Sequence, residues 1–463
     1  DHSDATFKLG YRSKRGFTPG IEYRYTPSLG TSGFFSGSFI DDKITDSTFW
    51  KVDASHSQDL PFGFKFSGTL DLESEEFNKT FNDNTNERAR RISDSFATAS
   101  KRWDSSTLDI ITRYRDSSEI ASDQTLAELP EITYKTQRQL IGDTGFYFNQ
   151  DTNFTSFLTD LNSDPDVDDN FSVQRFDFHP QLTRTFALAP WLSFTPTLGL
   201  RETLYSKGLE DTGFFSRESL DLSARLEGPK FEKIFATRNK LIPKVKHLIE
   251  PRLTFNFIPD IDRKDKDKIR TFDAIDSVSP QSQITYSLTQ RILQKEADGK
   301  GDFNTREALR FTLSQSYDIR EATKTETADN PSEPFSDIRF DVDSRLIDPL
   351  LINFDSTYDV HDEVLKTFNF EIGFKPVDTL TFFVERRFTR RGETSTLATI
   401  DWDFKKGWNF KASTRLDEET MTHRENNFSL LYDDPCQCWG FNVDFIQRDN
   451  FNGGARSQES KFL

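Results

Sequence analysis

Apolar and polar residues alternate along most of this chain. Phe62, Phe64, Phe66, Leu70 and Leu72 fall on one side of an extended backbone, with Gly68 in the missing place, while Lys65, Ser67, Thr69 and Asp71 fall on the other. Successive side chains of a strand point to opposite faces, so a period of two predicts a strand with one apolar and one polar face. The pattern returns at Leu192, Phe194, Pro196, Leu198 and Leu200 against Ser193, Thr195, Thr197 and Arg201. It returns again at Phe368, Phe370, Ile372 and Phe374 against Asn369, Glu371, Gly373 and Lys375. Shorter copies include Phe7-Leu9-Tyr11, Ile21-Tyr23-Tyr25, Leu253-Phe255-Phe257 and Trp439-Phe441-Val443-Phe445. No segment shows a competing helical period.

Soluble sandwich strands alternate too, but they average about 5–6 residues and bury Val and Ile against a second sheet. These runs are longer and rich in Phe and Leu, as expected of transmembrane strands of about 9–11 residues with lipid on one side and a polar lumen on the other. Phe62, Phe64 and Phe66 are therefore expected to face lipid, and Lys65, Thr69 and Asp71 the lumen. Trp191, Trp408 and Trp439 each precede an alternating run, where an interfacial aromatic girdle would stand. At about 19 residues per strand and connection the chain holds about 24–26 strands, near the top of the ordinary range for bacterial barrels. The expected architecture is a single large antiparallel transmembrane β-barrel over residues 1–463. Polar connections are expected over 75–91, 149–170, 260–268, 294–305 and 321–337. Long connections of this kind belong on one rim, with short turns such as Arg15-Gly16 and Lys406-Gly407 on the other.

Composition sharpens this reading. Hydrophobic residues are only 34%, which would suit a disordered chain, but 46 Phe, 11 Tyr and 6 Trp do not. No run approaches the roughly 18 apolar residues of a membrane helix, so membrane crossing is left to strands. A formal charge of −17 disfavours a phosphate-tracking surface, and nucleic acid is not an expected partner.

Few residues point to chemistry. Asp164, Asp166, Asp168 and Asp169 offer carboxylates for Ca²⁺ but lack the Gly and terminal Glu of an EF-hand loop, so a solvated loop is the better reading. His247 and Glu250 are two potential ligands where a metal site needs more, and a structural role is favoured. No Ser, His and Asp stand out as a hydrolase trio, and no catalytic residue, metal or cofactor is assigned. Pro19 and Pro27 bracket Ile21–Tyr25; each removes a backbone donor, which would weaken a seam, although proline at a strand end is tolerated. Cys436 and Cys438 share a face if the chain there is extended. They could pair with each other only with strain, and a partner elsewhere is favoured in an oxidising periplasm, yet the chain has no third cysteine.

Three stretches resemble the barrel of the LptD family of lipopolysaccharide-assembly proteins. The first is Asp4-Ala5-Thr6, then Arg15-Gly16, then Glu22-Tyr23-Arg24-Tyr25. The second is His247-Leu248-Ile249-Glu250-Pro251-Arg252, running on to Phe257-Ile258-Pro259. The third is Leu431-Tyr432-Asp433-Asp434-Pro435-Cys436-Gln437-Cys438-Trp439. Leu129-Pro130-Glu131-Ile132 is a weaker fourth. The elements come in the family's order, although Gln437 separates cysteines that the family often holds adjacent.

The resemblance implies an outer-membrane conduit that inserts lipopolysaccharide into the outer leaflet through the lumen and a lateral seam between the first and last strands. It implies a lipoprotein plug of the LptE type in the lumen and a periplasmic bridge protein docked through a jelly-roll domain absent from this chain. It makes Cys436 and Cys438 the linkage to that domain, places Pro19 and Pro27 near the gate, and makes His247, Glu250 and Pro251 structural. By the same resemblance a first barrel strand is expected to be missing, and Lys461-Phe462-Leu463 stops where a last one would begin. The alternatives are a substrate-specific porin or plugged receptor that imports small molecules, an outer-membrane hydrolase, and a soluble β-rich binding protein.

Overall fold

The computed structural model describes residues 2–74, 77–81, 92–117, 124–161, 171–208, 213–260, 270–297, 302–327, 330–392, 394–436, 438–452 and 455–462. The acidic residues Asp164–Asp169 lie outside them. Twenty-seven strands are assigned to one sheet, and the pairs whose register is defined are antiparallel between strands close in sequence. Gln124–Thr136 and Gln139–Leu140 both pair with Phe146–Leu161, and Phe171–Arg184 and Phe186–Ala189 both with Leu192–Tyr205. Phe215–Glu227 and Phe231–Ala236 likewise share Lys244–Ile258. Each couple is one strand with a break, so the 27 named strands less these three leave 24 passes among the described residues.

The chain divides into two units. The first is Asp1–Arg184, Thr197–Leu222 and Ile258–Pro280; the second is Thr185–Pro196, Ser223–Phe257 and Gln281–Leu463. In the first, strand ends near residues 28, 59 and 102 are joined by tight turns, while the opposite ends carry the connections across 74–91, 118–123 and 162–170. In the second, tight turns at 348–349, 378–379 and 406–407 stand opposite the longer 319–337 connection.

Burial runs opposite to that of a soluble protein. Along Phe171–Arg184, Val173, Arg175, Asp177 and His179 are buried, whereas Phe176 and Phe178 between them are 39% and 36% exposed. The polar face is the protected one. The few buried apolar clusters sit on that same face, where a connection folds back over it: Ile40 and Phe49 under Phe77 and Phe81 of the one-turn helix Phe77–Phe81, and Phe157, Val173 and Tyr205 under Phe272.

Four expectations need correction. The alternation at Phe62–Leu72 is a strand only from Lys65 to Glu73, because Pro61–Gly63 forms a 3₁₀ turn with Phe62 at φ 63° and Gly63 at φ 77°. Proline fixes one dihedral, and Phe62 and Gly63 both take left-handed ones, so the chain reverses where the apolar period continues. Asn149–Leu161 is part of the strand Phe146–Leu161 and not a loop; its polar residues pair across to Phe171–Arg184. Residues 294–297 and 303–305 also extend strands, Gln281–Ala297 and Phe303–Asp318. Finally, the Arg15-Gly16 turn lies on the long-connection rim, since Arg12 donates to the Phe81 carbonyl at 3.3 Å and the Arg15 guanidinium lies over the Phe81 ring at 5.1 Å.

Candidate functional site: first hairpin, inner wall and cysteine turn

The first hairpin pairs Ser3–Arg12 with Gly16–Ser28 from Ser3↔Tyr25 to Arg12↔Gly16. Its apolar side presents Phe7, Leu9 and Tyr11, exposed by 81%, 76% and 61%. Its polar side carries Lys8, which donates to Glu22 at 2.6 Å, and Arg24, which donates to the other Glu22 oxygen. Pro19 and Pro27 stand inside the second strand rather than bracketing it. Thr26 N–H donates back to His2, so even-numbered residues of this strand aim their N–H at the first strand and odd-numbered ones at the third, Thr31–Asp42. Pro19 therefore lacks its donor toward the third strand, and the ladder there starts only at Gly20↔Ser38. Pro27 lies in the irregularity between Tyr25 and Ser28 on the same side.

The inner wall of the first unit holds a side-chain network that sequence reasoning missed. Arg175 is fully buried and forms a bidentate bond to Asp273 at 2.7 and 2.6 Å, with Asp276 at 2.8 Å. Tyr205 Oη donates to Asp276 at 2.8 Å, and Arg217 donates to the carbonyls of Asp276 and Ile275 at 3.0 and 2.6 Å. Phe272 stacks on Phe157 with centroids 4.2 Å apart. Burial pushes the Asp273 carboxyl up, but the Arg175 guanidinium more than offsets this, so it sits below the ordinary carboxylate range. Together these bonds fasten the segment at 271–277 to the wall. Next to them His179 meets Asp221 at 2.7 Å and Arg201 at 3.1 Å. Alternation alone gives no hint of partners up to 98 residues apart.

His247 and Glu250 do not come together. They are three apart on one strand, hence on opposite faces. His247 meets Gln290 at 3.2 Å, and Glu250 lies 3.4 Å from Lys230 and 3.7 Å from Arg291. The Pro251 carbonyl accepts from Gly228 at 3.1 Å, beside the break in the neighbouring strand. The cysteine turn follows Thr422–Asp433 and shares the short-turn rim with Lys406-Gly407, since Asp433 N–H donates to the Gly407 carbonyl at 2.7 Å. Cys436 and Cys438 are bonded to each other here. Beside them Trp402, Phe404, Trp408, Tyr432, Trp439 and Phe441 form a chain of ring contacts, the girdle expected at an interface.

No curated protein sequence matches. Among solved structures, the siderophore receptor PirA from Pseudomonas aeruginosa is 10% identical, with TM-score 0.40, over 89% of this chain and 75% of that one. The alcaligin outer membrane receptor FauA from Bordetella pertussis is 9% identical, with TM-score 0.37, over 90% and 73%. The family LptD, described as LPS transport system D, matches residues 48–396. That span contains the His247–Pro259 motif, while the first hairpin and the cysteine turn lie outside it. The chain belongs to the LptD family and is an outer-membrane β-barrel of the LPS transport system.

Proposed function

We propose that this barrel is the translocon that inserts lipopolysaccharide into the outer leaflet, taking its sugars through the lumen and releasing it sideways. The inverted burial carries the reading: polar residues line a protected inner wall while phenylalanines stand exposed outside. An amphiphile needs both environments at once, and it cannot cross a wall whose strand edges are all paired. In an up-and-down barrel the junction of first and last strands has no connecting turn and is the natural seam. Pro19 and Pro27 thin the ladder between the second strand and the third, near that junction rather than on it. A barrel of about 24 strands is too wide for side chains to fill, which supports an LptE-type lipoprotein plug. The cysteine turn's place on the short-turn rim, the periplasmic side of such barrels, supports a linkage from Cys436 or Cys438 to a periplasmic jelly-roll domain that docks the bridge protein.

Depletion of the protein in its host, followed by an assay of newly made lipopolysaccharide at the cell surface, tests the reading. Loss of surface arrival is expected. Normal arrival with impaired uptake of a small nutrient would point to an importing barrel instead.

A further inference from the structure

The lipid-facing side of the first unit carries a depression of about 520 Å³. Its floor is small: Ala54, Gly68 and Ala97, on the adjacent strands Ser47–Asp59, Lys65–Glu73 and Ile92–Arg102, let a ligand approach the backbone. Phe35, Phe66 and Tyr114 stand around it. At one end lies a polar pair. Tyr25 lies flat across Gly33, where a Cβ would come within 2.1 Å of the ring, and its hydroxyl thereby reaches His56 Nδ1 at 2.7 Å. The other imidazole nitrogen is 3.4 Å from Gln58 Oε1.

Depth orders these groups. Tyr25 and His56 stand three residues before the ends of Gly16–Ser28 and Ser47–Asp59, about 10 Å from the short-turn rim at ~3.3 Å per residue. Gly68 and Ala97 share the rung of His56, and Ala54, Leu70 and Tyr114 lie further toward the bilayer centre. The groove is thus polar at the periplasmic interface and apolar below it, the sequence of environments that one phospholipid presents.

We propose that this groove binds one glycerophospholipid of the periplasmic leaflet, its headgroup at His56 and Gln58 and one acyl chain over Ala54, Gly68 and Ala97. Its continuity with the lipid-facing wall selects a lipid as the occupant, and its polar end selects the leaflet. The site rests on the membrane placement of the barrel and is independent of lipopolysaccharide export.

The test is native mass spectrometry of the whole chain released from bilayers of phosphatidylethanolamine and phosphatidylglycerol containing added lipopolysaccharide. Three proteins are compared, all checked for folding by heat-modifiable gel mobility: the wild type, the double variant Ala54→Leu with Ala97→Leu, and Ala398→Leu on the lipid-facing side of the second unit. One retained phospholipid is expected on the wild type and on Ala398→Leu. In the double variant its occupancy should fall about tenfold, since losing contact with even two methylenes is worth that much. Equal retention by all three proteins would overturn the proposal, as would a retained lipopolysaccharide in place of the phospholipid. If the double variant fails to fold, Gly68→Ala serves in its place, because nothing lies closer than 3.5 Å to a Cβ there.

Discussion

Arg175 shows what a single residue does on the inner wall. It is fully buried against Asp273 and Asp276, and its removal leaves Asp276 as a buried carboxylate without its strongest partner. Breaking such a pair costs about 3–5 kcal/mol. Arg175→Met is expected to release the segment at 271–277, read as faster amide exchange there with strand protection elsewhere unchanged. The same bond makes the segment acid-sensitive. Asp273 has a lowered value in the folded state, so its contribution is complete above the ordinary carboxylate range and fades as pH falls through the lowered value. Protection of 271–277, taken as exchange relative to the intrinsic amide rate at each pH, should therefore fall on acidification in the wild type and lose that dependence in Asp273→Asn. None of this was legible in the sequence, because Arg175 and Asp273 are far apart in the chain and each alone reads as an ordinary charged residue. Gly33 was equally silent: a missing side chain carries no period, yet it seats Tyr25 against His56.

Strands were the legible level. Leu192–Tyr205 and Val364–Val377 lie where alternation put them, because lipid demands one apolar face and nothing in the sequence opposes it. The misses share one cause, which is that apolar alternation marks a strand without marking its ends. It ran through the Pro61–Gly63 turn, where backbone dihedrals decide, and it overlooked Asn149–Leu161, whose Asn149, Gln150, Asp151, Thr152 and Asn153 break the apolar period. Polar ladders of that kind are held by cross-strand bonds such as Asn149 to Gln181 at 3.0 Å. The prolines yield a prediction at this scale. Pro19→Val restores an N–H aimed at the third strand and should tighten that ladder by about 0.5–1.5 kcal/mol. Slower amide exchange of the Thr31–Asp42 strand would show it; unchanged exchange would place the donor elsewhere.

For the whole molecule, family membership and two-faced strands agree on a barrel in the outer membrane, and the cysteine turn sits on its short-turn rim. Extended by the family's periplasmic domain, the protein is expected to carry a disulfide from Cys436 or Cys438 to that domain. Non-reducing peptide mapping reads this directly, and a map showing only the local pair seen here would remove the linkage. Sideways release is tested by engineering one cysteine on each of the two terminal barrel strands of the full-length protein, verifying the crosslink, and measuring lipopolysaccharide arrival at the cell surface. Arrival is expected to stop when the seam is locked. Arrival at the wild-type rate through a verified crosslink would contradict it.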